Sequence, residues 1–418
     1  MNPRQLLVPL AFLSLAIAGE QLFADDLLSV AADFEGGSVA EVEIDPAAGS
    51  IRFMPGGDPA RGWPCWWYFR IDGIQPGQAI TLQLRGSTAT VGNQPPLGAS
   101  WAMPKRATYS TDGKTWQQTD PGQRDGHIMT YKLTPDASSV YVAWGPPYTP
   151  KTAERLATRL SEASPHVEAM QLCRSREDRE VPMLHFHEGT RTAEQRFGVW
   201  IQARQHAWES GSSWVAEGFA DWLAGDDPQA AWLRQHADVY LVPIMDIDNT
   251  ATGNGGKNAI PRDHNRDWAA KPHWNEILAA QQKVGELIDQ NRMDLFIDLH
   301  NPGPGDSTFF FVPSRELLKP QAADSTDDFM ELAHQRISSI KPSIPMSNKP
   351  RVTGSTYHPL WRQISTNWVS LNGNPNTVSV CLETAWNSPT STPTGYKAVG
   401  ENLAIATQQF LAKQPKKP

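Results

Sequence analysis

Met293-Asp-Leu-Phe-Ile-Asp-Leu-His300 reads as a β-strand whose last residue is a histidine, and Asn301-Pro-Gly-Pro-Gly305 follows it at once. Segments of two different periods alternate on either side. Val181 to His187, Phe197 to Gln202, Val239 to Ile244 and Val378 to Leu382 are strand-like runs. Helical patterns cover Ser212 to Ala224, Trp274 to Gln290, Asp327 to Ser339 and Gly395 to Leu411. The alternation predicts an α/β domain, a mixed sheet with helices on both faces. In such a sheet, sites gather at the carboxyl ends of strands, so polar residues directly after apolar runs are the first candidates for chemistry.

Upstream the texture changes. Short β-prone runs cut by Gly, Pro and Asp occupy Ser38 to Ile44, Trp66 to Ile71, Ala79 to Leu84 and Val140 to Trp144. They predict an all-β antiparallel sandwich, with a hairpin over Tyr109-Ser-Thr-Asp-Gly-Lys-Thr-Trp116 closed at Asp112-Gly113. Gly145-Pro-Pro-Tyr-Thr-Pro150 punctuates the chain, and Lys151 to Leu160 has the spacing of an amphipathic helix. The expected division is a sandwich over residues 25–150 and an α/β domain over 151–418.

The whole chain has 418 residues, 39% of them hydrophobic, which is enough apolar material for a sizeable core. Thirty-seven basic against 45 acidic residues leave a net charge of −8, and no long basic run offers the positive field that a nucleic acid needs. Residues 1–24 read as a signal peptide: Arg4 precedes the uncharged apolar run Leu6 to Gly19, which is shorter than the roughly 20 residues of a membrane-spanning helix. Cleavage is expected near Ala24, with the mature protein secreted or periplasmic and not stably associated with a membrane. Three cysteines, Cys65, Cys173 and Cys381, allow at most one intramolecular disulfide, so the fold is no disulfide scaffold.

His206 and Glu209 lie three apart in Gln205-His-Ala-Trp-Glu209, directly after a predicted strand, and His300 ends another. Two imidazoles and one carboxylate, with a fourth position left to water, form the ligand set of a catalytic zinc. Such an ion lowers the pKa of that water and polarises a carbonyl. Glu383 follows the apolar run Val378 to Leu382, where desolvation suits a general base that later donates its proton to a leaving amine. Asn265 and Arg266, in Pro261-Arg-Asp-His-Asn-Arg-Asp-Trp268, offer an amide and a guanidinium fork that match the free carboxylate of a peptide C-terminus. A second cluster, His185-Phe-His-Glu188, puts two imidazoles on one strand face without an identifiable third ligand, and reads as strand and turn surface.

Taken in order, His206-x-x-Glu209, Asn265-Arg266, His300 and Glu383 resemble the metallocarboxypeptidases of the carboxypeptidase A superfamily. Phe34-Glu-Gly-Gly37, Trp66-Trp-Tyr-Phe-Arg70, Tyr109 to Trp116, Tyr141 to Thr149 and Arg262-Asp-His-Asn-Arg266 narrow the likeness to the cytosolic-carboxypeptidase branch, which carries a β-sandwich before the peptidase domain. The resemblance implies a sheet of about eight strands and one zinc per chain on His206, Glu209 and His300. It also implies Glu383 as base and acid, and Asn265 with Arg266 as the clamp on peptide or protein C-termini. This chain departs from the family in having Ala207-Trp208 where relatives often have Pro-Gly. Lys257 and Arg262 are the two candidates for the family's oxyanion-stabilising arginine, and Tyr357 for its capping tyrosine. Two other functions fit the same residues: a zinc amidase acting on cell-wall peptides or N-acyl amino acids, and a catalytically silent binder of peptide or glycan.

Overall fold

The computed structural model describes residues 28–92 and 98–415, so the expected signal peptide lies outside the described residues. The first ten strands are β1 (Ser29–Ala31), β2 (Ala40–Asp45), β3 (Ser50–Met54), β4 (Tyr68–Asp72), β5 (Ile80–Arg85), β6 (Thr108–Ser110), β7 (Gln117–Gln118), β8 (Gln123–Asp125), β9 (Ile128–Leu133) and β10 (Ser139–Ala143). They form two five-stranded sheets, in the orders β1-β4-β10-β6-β7 and β2-β3-β5-β9-β8. Alternation decides which side chains face inward: in β5 Ile80, Leu82 and Leu84 are buried while Thr81, Gln83 and Arg85 are not. Phe53 of one sheet meets Phe69 of the other edge-on, with ring centroids 4.8 Å apart. The sandwich is not wholly antiparallel, as had been expected, because β3 and β5 pair in parallel. Between them the chain crosses to the other sheet as β4, the kind of excursion that parallel neighbours require.

The second domain begins with α1 (Pro150–Ala163), β11 (Val167–Arg174), β12 (Glu180–Phe186) and β13 (Phe197–Ala203). After these come α2 (Ser210–Ala224), α3 (Pro228–His236), β14 (Ala237–Val242), α4 (Ile247–Ala251), α5 (Asn275–Asp289) and β15 (Met293–His300). The chain finishes with β16 (Phe309–Pro313), α6 (Pro320–Ser338), β17 (Arg351–Thr353), α7 (Ser365–Asn372), β18 (Val378–Glu383) and α8 (Pro393–Lys413). Eight strands share one mixed sheet in the order β11-β12-β14-β13-β15-β18-β16-β17. Its centre, β14-β13-β15-β18, is parallel. Val199, Ile201, Leu295 and Ile297 pack against Phe219 of α2, Phe329 of α6 and Leu403 of α8. Their neighbours Trp200 and Phe296 point the other way, onto Ile277 and Val284 of α5. Both faces are therefore covered, and the ends of the central strands are where polar groups can be exposed to a ligand.

The sandwich's hydrophobic cluster takes in residues of both domains. Trp208 and Trp386, which belong to the α/β domain, sit in the sandwich's hydrophobic cluster with Trp66, Trp67 and Trp144. The loop at 253–260 is stitched to the sandwich by backbone bonds, Gly256 N–H to Arg61 O at 2.9 Å and Trp63 N–H to Lys257 O at 3.1 Å. The approach is close enough that a Cβ on Gly62 would lie 2.2 Å from the Gly256 nitrogen. Cys65, Cys173 and Cys381 are free thiols.

Candidate active site

Three adjacent parallel strands, β13, β15 and β18, deliver the site at their carboxyl ends. His300 and Glu383 are register partners across β15 and β18, which fixes their side chains on one neighbourhood before any loop is considered. Beyond β13 the chain turns at Arg204, which adopts φ +64° and is buried, its guanidinium donating to Ala207 O at 2.8 Å and to Tyr148 O at 2.5 Å. That turn presents His206 and places Glu209 at the start of α2.

His206 Nδ1 lies 2.8 Å from Glu209 Oε1, and His300 Nδ1 lies 2.7 Å from Glu209 Oε2. All three residues are at most 3% exposed. Burial pushes the Glu209 carboxyl up, but the two imidazoles outweigh it and hold the carboxyl far below its ordinary range. Both outer imidazole nitrogens face carboxylates: His300 Nε2 is 3.1 Å from Asp298 Oδ2, and His206 Nε2 is 3.7 Å from Asp263 Oδ1. An N–H directed at a carboxylate leaves the Nδ1 lone pair free for an ion, the arrangement that orients metal-bound histidines. His206 Nε2, Asp263 Oδ1 and Glu383 Oε2 are buried without a hydrogen bond among the described residues. The donor set, two imidazoles and a carboxylate with their supporting carboxylates, fits a divalent ion of the zinc type.

Asp298, Asn301 and Asp263 belong to this site and were not singled out in the sequence. Asp298 Oδ2 accepts from Gln205 Nε2 and Ser365 Oγ, each at 2.5 Å, so it locks β15, the ligand turn and α7 together. Its signal was present, because a residue two before a strand-end ligand shares that ligand's face. Asn301 accepts from Ser212 N–H at 3.0 Å and donates to Thr384 O at 2.6 Å, tying α2 to the ends of β15 and β18. No local pattern announces that bridge.

Asn265 Nδ2 lies 3.3 Å from His300 Nε2, while its Oδ1 accepts from Ser365 N–H at 3.0 Å. Arg266 donates to Asn265 O at 2.8 Å, stands 6.0 Å over the Tyr357 ring, and has a buried Nε with no partner among the described residues. Asn265, Arg266, Tyr357, His206, His300 and Glu383 line one cavity with Lys257, Phe311, Thr353, Ile364, Thr366 and Cys381. Arg262, expected at the substrate, is not among the lining residues. It donates to Gln363 at 3.0 Å and pairs with Asp267 at 3.8 Å, so its guanidinium is committed beside the site. Of the two candidates, Lys257 is the one that lines the cavity. Burial pushes the Glu383 carboxyl up, the nearby Glu209 adds to this, and the result is about 7 despite the opposing pull of His300.

His264 anchors the loop that carries Asn265 and Arg266. Its ring stacks on Trp274 at 4.8 Å and lies 3.7 Å from Asp246 and 3.6 Å from Glu276. Burial alone would lower it, but these carboxylates hold the imidazolium at about 9. A histidine raised from its unfolded value of about 6.5 stabilises the fold fully below that value, and the contribution is lost as pH climbs through 9. Denaturant unfolding is expected to show a loss on the order of 3 kcal/mol between pH 7 and 10 from this group. In His264→Gln the protein is weaker at pH 7 by about 3–5 kcal/mol, since two buried carboxylates lose their cation, and this part of the alkaline loss disappears. Equal alkaline losses in both proteins would contradict the assignment.

Residues 30–144 match the model described as "Cytosolic carboxypeptidase N-terminal domain". An uncharacterized protein of Zymomonas mobilis is 28% identical over 276 residues, covering 65% of this chain and 67% of that protein. Human cytosolic carboxypeptidase 2 is 24% identical over 268 residues, which are 59% of this chain but 30% of the human protein, so the chain spans about a third of that relative's length. In fold, the chain is similar to a metallo-carboxypeptidase from Burkholderia cenocepacia, with a TM-score of 0.77 at 23% identity over 92% of this chain and 99% of that one. A Pseudomonas aeruginosa metallo-carboxypeptidase, solved with (2-guanidinoethylmercapto)succinic acid, gives 0.71 at 22% identity over 92% and 99%. Since residues 153–383 match the model described as "Zinc carboxypeptidase", more than half of the chain, the protein belongs to the zinc carboxypeptidase family.

Proposed function

We propose that this carboxypeptidase is a zinc enzyme that removes the terminal residue of peptides with a free C-terminus, with Glu383 as general base. The observation that carries the reading is the buried trio His206, Glu209 and His300 with Glu383 in register beside it. The trio would hold the zinc, which lowers the pKa of a water and polarises the scissile carbonyl. Glu383 takes the proton from the attacking water through its unpartnered oxygen, then delivers it to the departing amine nitrogen. Lys257 stands in the cavity as the cation for the oxyanion that develops on the carbonyl. Asn265 and Arg266 take the terminal carboxylate, Arg266 through a guanidinium fork that matches it. On the strength of its N-terminal apolar run, the protein is proposed to work outside the cytoplasm, secreted or periplasmic.

Beyond these charged groups the cavity is lined by Phe311, Thr353, Ile364, Thr366 and Cys381, none of which would neutralise a charged side chain. Peptides ending in an uncharged residue are expected to exceed those ending in Asp, Glu, Lys or Arg by at least about tenfold in kcat/KM. Arg266→Ala is expected to raise KM for such peptides by roughly 10- to 100-fold through loss of a charge-assisted pair. Both are read from initial rates on synthetic peptides. Hydrolysis that a chelator leaves intact, or that Arg266→Ala leaves unchanged on every free-acid peptide, would overturn the proposal.

A further inference from the structure

On the far edge of the same sheet, β11 and β12 build a second cluster of ligand atoms. Glu168 and His185 are register partners, and His187 follows two residues later with its N–H bonded to His166 O. One atom from each of Glu168, His185 and His187 lies within 4.8 Å of the other two. His185 Nδ1 is 3.6 Å from Glu168 Oε2, close to the roughly 3.4 Å that separates ligands of a tetrahedral ion at bonds of about 2.1 Å. The two imidazoles lie nearly face to face, with centroids 4.6 Å apart and planes tilted by 30°. Among the described residues, the His187 ring donates to and accepts from no protein atom.

The remainder of the cluster prepares the lone pairs. His185 Nε2 is 3.2 Å from Asp238 Oδ1, and the Tyr240 ring stacks on His185 at 4.3 Å and 10°. A carboxylate at that distance can hold the ring by accepting from Nε2. That contact leaves Nδ1 as the His185 atom facing Glu168. The nearby cations are already committed. Arg292 pairs with Asp238, and Arg196 donates to Arg234 O at 2.9 Å and Glu188 O at 2.6 Å.

We propose that Glu168, His185 and His187 form a second, non-catalytic binding site for a divalent ion of the zinc class, with Asp238 orienting His185. Water completes the shell, since Glu168 is exposed and both histidines are half-buried. Two imidazoles and a carboxylate suit zinc and its neighbours over calcium or magnesium, which take oxygen ligands. β11 is an edge strand of the sheet, and an ion bridging Glu168 to β12 clips that edge in place.

The test is calorimetric titration of the untagged, chelator-stripped full chain with zinc chloride, with peptide hydrolysis followed in parallel. Two ions per chain are expected. Glu168→Gln changes only an exposed side chain and His187→Ala removes one ring. Each should weaken one binding event by at least about tenfold and leave the other event and hydrolysis intact. A single ion per chain, or a second ion indifferent to both substitutions, would overturn the site. The catalytic reading stands or falls separately, because neither residue touches the active-site cavity.

Discussion

Glu383→Gln is expected to lower kcat and kcat/KM together by on the order of 10³-fold, while bound zinc and substrate affinity stay as they were. The substitution keeps the shape of a side chain whose Oε2 is buried and free of partners, and removes only its capacity to take a proton. A group that acts only in the transition state affects both constants equally, whereas a binding group would act mainly through KM. The same carboxyl sets the acid limb of the pH profile. Burial pushes it to about 7, and a bound dication would pull it back down. Protonation removes the base, so kcat/KM is expected to fall as pH drops through a value below 7. Steady-state rates from pH 4 to 9, with zinc content measured on the same samples, check both statements. A variant that keeps a tenth of the wild-type kcat would show that the proton is carried elsewhere.

Trp208→Ala is expected to cost about 3–5 kcal/mol of stability and to reduce kcat/KM by about 100-fold, although Trp208 ligates nothing. It lies between the proposed ligands His206 and Glu209, yet its ring is packed among Trp101, Trp144 and Trp386, with centroids 5.4, 5.2 and 6.1 Å away in edge-on contacts. Its backbone N–H is bonded to Gly255 O at 3.1 Å, in the loop that also presents Lys257. The ligand turn is therefore held from the sandwich side. Gly256 shows how little slack there is, because its φ is +77° and a Cβ there would stand 2.2 Å from Asp246 Oδ2 and 2.6 Å from the Ala207 nitrogen. For the same reason, removing residues 25–150 is expected to leave a catalytic domain with exposed Trp208 and Trp386 that neither folds stably nor turns over. Denaturant unfolding and rates on a single peptide check both. A truncated protein as stable and active as the whole chain would confine the sandwich to some other role.

The α/β alternation and the four-part site were legible because each rests on short-range pattern. Strand runs such as Leu295 to Leu299 are apolar for local reasons, and residues just beyond them fall at strand ends whatever the order of strands in the sheet. What escaped depends on distant partners. β11, β16 and β17 were not expected; the edge strand Val167–Arg174, for one, has a mixed burial pattern that no period of two describes. Without β11, Glu168 could not be placed opposite His185, so the second histidine cluster lacked its third ligand. Arg262 and Lys257 could not be ranked from spacing, because the choice is made by Gln363 and Asp267, which draw Arg262 aside. The parallel β3–β5 pair and the Trp208 cluster likewise arise from contacts between segments far apart in the chain.

The most direct test is to incubate the zinc-loaded protein with paired peptides that end in a free carboxylate or in an amide, and to follow the products by mass spectrometry. The proposed chemistry predicts stepwise loss of terminal residues from the free-acid peptides alone, stopped by a chelator and by Glu383→Gln. Equal cleavage of the amidated peptides, or of neither set by protein that holds zinc on His206, Glu209 and His300, would contradict it and turn attention to cell-wall peptides and N-acyl amino acids as substrates.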